Sequence, residues 1–238
     1  MGPDAAPAGA LTGAHRLAEA CRGTGCPLCR ALRTAAVQDL TAFLGEHVTD
    51  PQARARLTAA GGLCAGHAAL LREVPDAALG VAIVYQALVG DARRWVTGAR
   101  SRTVRQGAWP RLPARGGGPA RPAPCPACAE APRAERRLLA ALLDGLGGAD
   151  LVGAYRGSDG LCLPHLRAAV RQGAGHPGLG VILEHAHQRL ERLAADLDGF
   201  IASHDHRATV RPTPVEASSW TRALEALAGS GPAPEASR

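Results

Sequence analysis

The sequence predicts an all-α fold: two tandem pseudo-repeats of about four helices, each pinned by a Cys3His metal site. Three observations carry this reading. Cys26-Pro27-Leu28-Cys29 is answered by Cys64-Ala65-Gly66-His67, and Cys125-Pro126-Ala127-Cys128 by Cys162-Leu163-Pro164-His165, so each half offers three thiols and an imidazole in the same order. The residues before each second pair also match, as Gly62-Leu63 and Gly160-Leu161. Apolar residues recur at helical spacing throughout, and no stretch alternates as a half-buried strand would.

In chain order, residues 1–20 are rich in Ala, Gly and Pro and read as a disordered tail. A helix should open at Cys26 or Pro27 and run to about Glu46, with Leu28, Leu32, Leu40, Phe43 and Leu44 as its apolar face. Proline suits a first helical position because no backbone donor is lost there. Thr49-Asp50-Pro51 reads as a cap, followed by a short helix that stops at Gly61-Gly62. The Cys64–His67 pair opens a third helix, and a fourth begins after Asp76 and carries Leu79, Ile83, Val84, Leu88 and Trp95. Residues 97–124 read as an Arg/Pro/Gly-rich linker containing Trp109. The plan then repeats. Cys125–Gly145 matches the first helix, Leu161–Gln172 the third, and Leu179-Gly180-Val181 aligns with Leu79-Gly80-Val81. Leu179, Leu183, Ala186, Leu190, Leu193, Leu197 and Phe200 form a seam for packing against another helix, with a homodimer as one use of it. The predicted division is therefore 21–96 for the first repeat, 125–207 for the second, 208–229 for a C-terminal loop and helix, and 230–238 for a tail.

The motif residues decide the chemistry. Thiolates and a neutral imidazole suit Zn²⁺, and Cys3His is one of its closed tetrahedral structural sets. A helix N-terminus lowers the pKa of a nearby thiol and so favours the ligating form. The expected ligands are Cys26, Cys29, Cys64 and His67 in one half and Cys125, Cys128, Cys162 and His165 in the other, giving two Zn²⁺ per chain. Within-half pairing is expected because it closes the shorter loops. An iron–sulfur cluster is the alternative cofactor, since histidine replaces cysteine in some clusters. Thiol redox use is the other alternative, although that motif normally follows a strand. Cys21 is a seventh cysteine without a counterpart and reads as a spare thiol.

The net charge is +6, yet Arg100, Arg102, Arg105, Arg111, Arg115 and Arg121 in the linker account for all of it. A basic folded face is not implied, so nucleic acid is disfavoured as a partner. No apolar run is long enough to span a membrane, and Met1 to Ala20 has no signal-peptide core, so a cytoplasmic protein is expected. Basic residues are all arginine, and neither lysine nor asparagine occurs, a bias typical of GC-rich coding.

Taken together, the two halves, the Leu79–Ile83 and Phe200–Arg207 segments and a Ser-Trp-x-Arg-Ala helix start at Ser219–Leu224 resemble an uncharacterised prokaryotic family, a domain of unknown function. The resemblance spans nearly the whole chain except the tails and linker, and implies no activity. The residues themselves favour a zinc-binding helical protein acting as a metal-stapled scaffold for a protein partner. A closed Cys3His shell leaves no position for substrate, which points away from catalysis at the metal. The alternatives are an enzyme or small-anion site at His204, Asp205, His206 and Arg207, and an iron–sulfur or thiol redox protein using the same cysteines.

Overall fold

A computed structural model describes residues 8–106, 123–205 and 210–229. Trp109, Arg111, Arg115, Arg121, His206, Arg207 and the expected tail at 230–238 lie outside the described residues. Among those described, the chain is all α-helix apart from turns and one short 3-10 segment. In order the helices are α1 Ala8–Cys21, α2 Pro27–Glu46, α3 Pro51–Ala59, α4 Ala65–Leu70, α5 Ala77–Gln106, α6 Pro126–Gly145, α7 Ala149–Arg156, α8 Leu163–Gln172, α9 Pro177–Ser203, α10 Pro214–Ala217 and α11 Ser219–Ala228. No single described helix is long and apolar enough to cross a membrane.

Local chemistry explains the boundaries. Asp50 accepts hydrogen bonds from the backbone of Gln52 (2.7 Å) and Ala53 (3.0 Å), with Pro51 at the first helical position of α3. Thr213 and Glu216 form a reciprocal capping box at α10. Two expectations fail. Residues 8–21 are helical although 1–20 read as a disordered tail, because Leu17, Ala20 and Cys21 form a buried face that the Ala/Gly composition masks. The expected linker at 97–124 begins too early, since α5 continues to Gln106. Arg, Ala and Gln favour helix and carry it past Thr97 and Ser101, whose hydroxyls satisfy themselves on the Arg93 and Thr97 carbonyls at a small cost to the helix.

The chain forms two compact units, and their boundaries cut through the expected repeats. Among the described residues, one unit takes 8–34 with 132–205 and 210–229; the other takes 35–106 and 123–131. Both α2 and α6 therefore contribute to each unit. In α6 the division falls at Pro132, where the missing N–H removes one bond of the helical ladder.

The first unit holds the larger core: Leu17 and Leu28 pack with Leu138, Leu139, Leu142, Leu143, Tyr155 and Ile182. Within it α1 packs on α7, and α8 and α9 pack with α11. The inward face of α9 is Ile182, His185, Ala186 and Leu193, one residue around from the expected seam. Leu183 and Leu190 point outward, at 42% and 40% exposure. The rotation follows from the short helices α8 and α11, which cover one side of α9. The second unit is thinly packed around Leu40, Leu70, Leu71 and Val74, with Leu44, Val81 and Tyr85 partly buried against them.

Leu142→Ala should destabilise the first unit by about 2–5 kcal/mol, since it empties a fully buried site. Leu183→Ala should cost less than about 0.5 kcal/mol, as expected of an exposed position. Denaturant unfolding of the two variants reads the difference.

Candidate metal centres

The eight predicted ligands converge on two clusters, but not in the expected pairing. Cys26, Cys29, Cys162 and His165 form one; Cys64, His67, Cys125 and Cys128 form the other. Each ligand set combines the CPxC of one half with the CxxH of the other. In the first cluster the His165 Nδ1 lies 3.4 Å from the Cys26 and Cys29 sulfurs and 3.2 Å from that of Cys162, and the Cys29 and Cys162 sulfurs are 3.8 Å apart. In the second the His67 Nδ1 lies 3.2 Å from Cys64, 3.4 Å from Cys128 and 3.8 Å from Cys125, with 3.6 Å between the Cys64 and Cys128 sulfurs.

The within-half expectation gave loop closure more weight than it carries. Closing a separation of 133 residues, Cys29 to Cys162, instead of 35, Cys29 to Cys64, costs only about 1 kcal/mol more, because closure entropy grows with the logarithm of length. Helix length opposes it. At 1.5 Å per residue α2 carries the chain about 30 Å from Cys26, and α3 can return it only about 13 Å. The second CxxH meets the same mismatch between α6 and α7. In the second unit α4 therefore arrives beside the distal part of α2, and Leu70 packs with Leu40.

The local backbone is the same at both CxxH pairs. Cys64 and Cys162 are extended N-cap residues, at φ −64°, ψ 163° and φ −68°, ψ 161°. The matching glycines have positive φ, 111° at Gly62 and 65° at Gly160, so the repeated Gly-Leu is the turn that aims the following cysteine. At each CPxC the proline opens a helix directly after the first cysteine.

The distances fit a single tetrahedral ion. Zn–S bonds near 2.3 Å and Zn–N bonds near 2.0–2.1 Å give tetrahedron edges of about 3.8 Å between sulfurs and about 3.5 Å between sulfur and nitrogen. The sulfurs are too far apart for disulfides, and the cysteines are free. With no cation between them, the donors oppose one another electrostatically. The Cys26 thiol is pushed strongly up by its hydrogen bonds to Cys162 and Cys29, while Cys29 is driven down by hydrogen bonds from Cys162 and Cys26. Burial alone would lower the pKa of His165, but hydrogen bonds to the Cys162 and Cys29 sulfurs outweigh it and lift the imidazole to about 10. A divalent ion is the alternative way of holding this much thiolate charge together.

The sites differ in their surroundings. The sulfurs of the first are sealed: Cys26, Cys29 and Cys162 are 3%, 7% and 1% exposed. Sequence reasoning missed its supports. The Asp159 carboxylate accepts from the Gly25 N–H at 2.6 Å and ties together the turns that present Cys26 and Cys162. Glu135 faces the His165 Nε2 at 4.0 Å, within ion-pair range and beyond direct hydrogen bonding. The backbone of Gly229 lies against the cluster, and a Cβ there would stand 3.2 Å from the Cys162 sulfur. His185 is buried; its Nε2 lies 3.1 Å from the Ser158 carbonyl and its ring meets Tyr155 edge-on. Cys21 is buried in the same core and stands outside both ligand sets. All four ligands of the second site are partly exposed.

The His204–Arg207 cluster is described only at its first two residues. His204 caps α9: its Nδ1 donates to the Phe200 carbonyl at 2.9 Å and its ring packs on that of Phe200.

No family model matches the chain, and neither the curated proteins nor the solved structures contain a significant match. Function must therefore be read from the sites.

Two double variants test the pairing. Cys26→Ser with His165→Ala should leave one ion per chain, because both lesions fall in one site. Cys26→Ser with His67→Ala should lose both, and metal analysis after gel filtration distinguishes the outcomes.

A second test concerns His185, whose pKa is depressed chiefly by burial. A histidine held neutral in the fold costs nothing above its unfolded pKa, near 6.5, and destabilises progressively as pH falls below it. The stability of the native protein relative to His185→Phe should therefore fall as pH falls from about 7 to 5. Urea unfolding at each pH measures it.

Proposed function

We propose that this protein is a zinc-binding helical scaffold whose role is to engage another protein. The observation that carries the metal reading is the pair of four-donor sets with tetrahedral edge lengths. Three thiolates with one imidazole are a borderline-soft set that suits Zn²⁺, and every coordination position is filled from the chain. Such an ion organises structure. It holds the start of α2 to the start of α8, and the start of α4 to the start of α6, so its binding energy is folding energy.

The partner reading rests on the surface of α11. Trp220, Leu224 and Leu227 lie at helical i, i+4, i+7 spacing and are 54%, 61% and 56% exposed, while Ser219 and Ala226 face inward. Large side chains on the outer stripe of a helix anchored from behind offer an aromatic anchor of the kind that dominates protein interfaces.

Elemental analysis of protein purified without added metal should find two Zn²⁺ per chain. Visible absorbance with stoichiometric iron would overturn the zinc assignment. For the partner, Trp220→Ala with Leu224→Ala should weaken a complex isolated under gentle conditions by about tenfold or more, leaving metal content and melting temperature unchanged. Unaltered affinity would remove α11 from the interface.

A further inference from the structure

The two centres share a donor set but not an environment, and this bears on what each can do. At the first, the sulfurs are buried in the larger core and Gly229 closes over Cys29 and Cys162. At the second, Cys64, His67, Cys125 and Cys128 are all partly exposed. The unit that holds them has only a small apolar cluster, around Leu40, Leu70, Leu71 and Val74. A small oxidant therefore has access to sulfur at the second centre, in the unit least able to stay folded without its ion.

We propose that the Cys64–His67–Cys125–Cys128 centre is an oxidation site for hydroperoxides, at which thiolate oxidation expels the metal and loosens the described part of the second unit, 35–106 with 123–131. The inference rests on the metal reading above. The Cys64 and Cys128 sulfurs lie 3.6 Å apart and must close to about 2.05 Å to bond. One of these thiolates attacks the peroxide O–O bond, forms an S–O bond and becomes a sulfenic acid, while the alcohol, or water from hydrogen peroxide, departs after protonation. The other thiolate attacks that sulfur, and hydroxide leaves as water after taking a proton. In sum, two thiolates, one hydroperoxide and two protons give one disulfide, one alcohol and one water. The sulfurs lose two electrons and the peroxide gains them. The ion is left with Cys125 and His67, half of its ligands, and dissociates. The small cluster at Leu40 then has to hold α4 against α2 unaided, and the second unit opens. The first unit keeps its ion and its core. A thiol reductant with Zn²⁺ reverses the change.

The test uses the full-length zinc-loaded protein, first shown to carry two Zn²⁺ per chain; a lower content would instead refute the metal reading on which this inference rests. Hydrogen peroxide is added and released zinc is followed with a chromogenic chelator. One equivalent should leave at least about tenfold faster than the other, with partial loss of helical circular dichroism. Peptide mapping should then find a Cys64–Cys128 disulfide, with Cys26, Cys29 and Cys162 still reduced. Thiol reductant plus Zn²⁺ should restore the signal. Native mass spectrometry of the intermediate should show one ion retained, which does not depend on any variant folding. Release of both ions at one rate, first loss from the Cys26 centre, or rapid release without a disulfide at Cys64 would each overturn the proposal.

Discussion

Three sulfurs and an imidazole nitrogen held within van der Waals reach of one another are the constraint on which this fold depends. Ligating thiolates repel, and protonated thiols leave a buried polar cluster only partly satisfied. A divalent ion would remove both problems at once. An ion in each cluster would explain why α4 and α8, too short to be stable alone, hold their places. Each begins at a ligating cysteine and carries a ligating histidine one turn later.

The crossed pairing changes what the halves mean. Because α2 and α6 each run through both compact units, neither half of the sequence is a folding unit by itself. Each centre joins segments far apart in sequence, and the penalty for that distance would be small beside the binding energy of a structural metal ion. Long-range closure of this kind delays native contacts, and a bound ion would couple folding to metal.

Much of this was legible from local patterns. The ligands, the helix starts at Pro27, Pro51 and Pro126, and the cap at Asp50 follow from side chains acting within one turn, where sequence and structure are directly connected. The pairing was not legible, because both arrangements satisfy the same motifs, and helix length decided between them. Helix α1 was hidden because its composition suggests a tail while three positions, Leu17, Ala20 and Cys21, supply the buried face. Asp159 and Glu135 carried no motif: a carboxylate becomes a support for a metal centre only when the fold brings it beside one. His185 is missing from the predicted seam because that seam lies one residue around the helix from the buried face.

The difference between the centres arises outside the repeated motifs. The same Gly-Leu-Cys turn and the same CPxC helix start build both, so local sequence alone would make them equal. The first centre gains its cover from segments that lie beyond the paired motifs: α1 shares its core, and the end of α11 closes over its sulfurs. The second centre follows the same coordination plan without a core of that size behind it. Burial restricts access to sulfur and raises the cost of opening, so flanking helices divide the labour between two chemically equivalent sites. One set of sulfurs is closed off, and the other stays within reach of solvent.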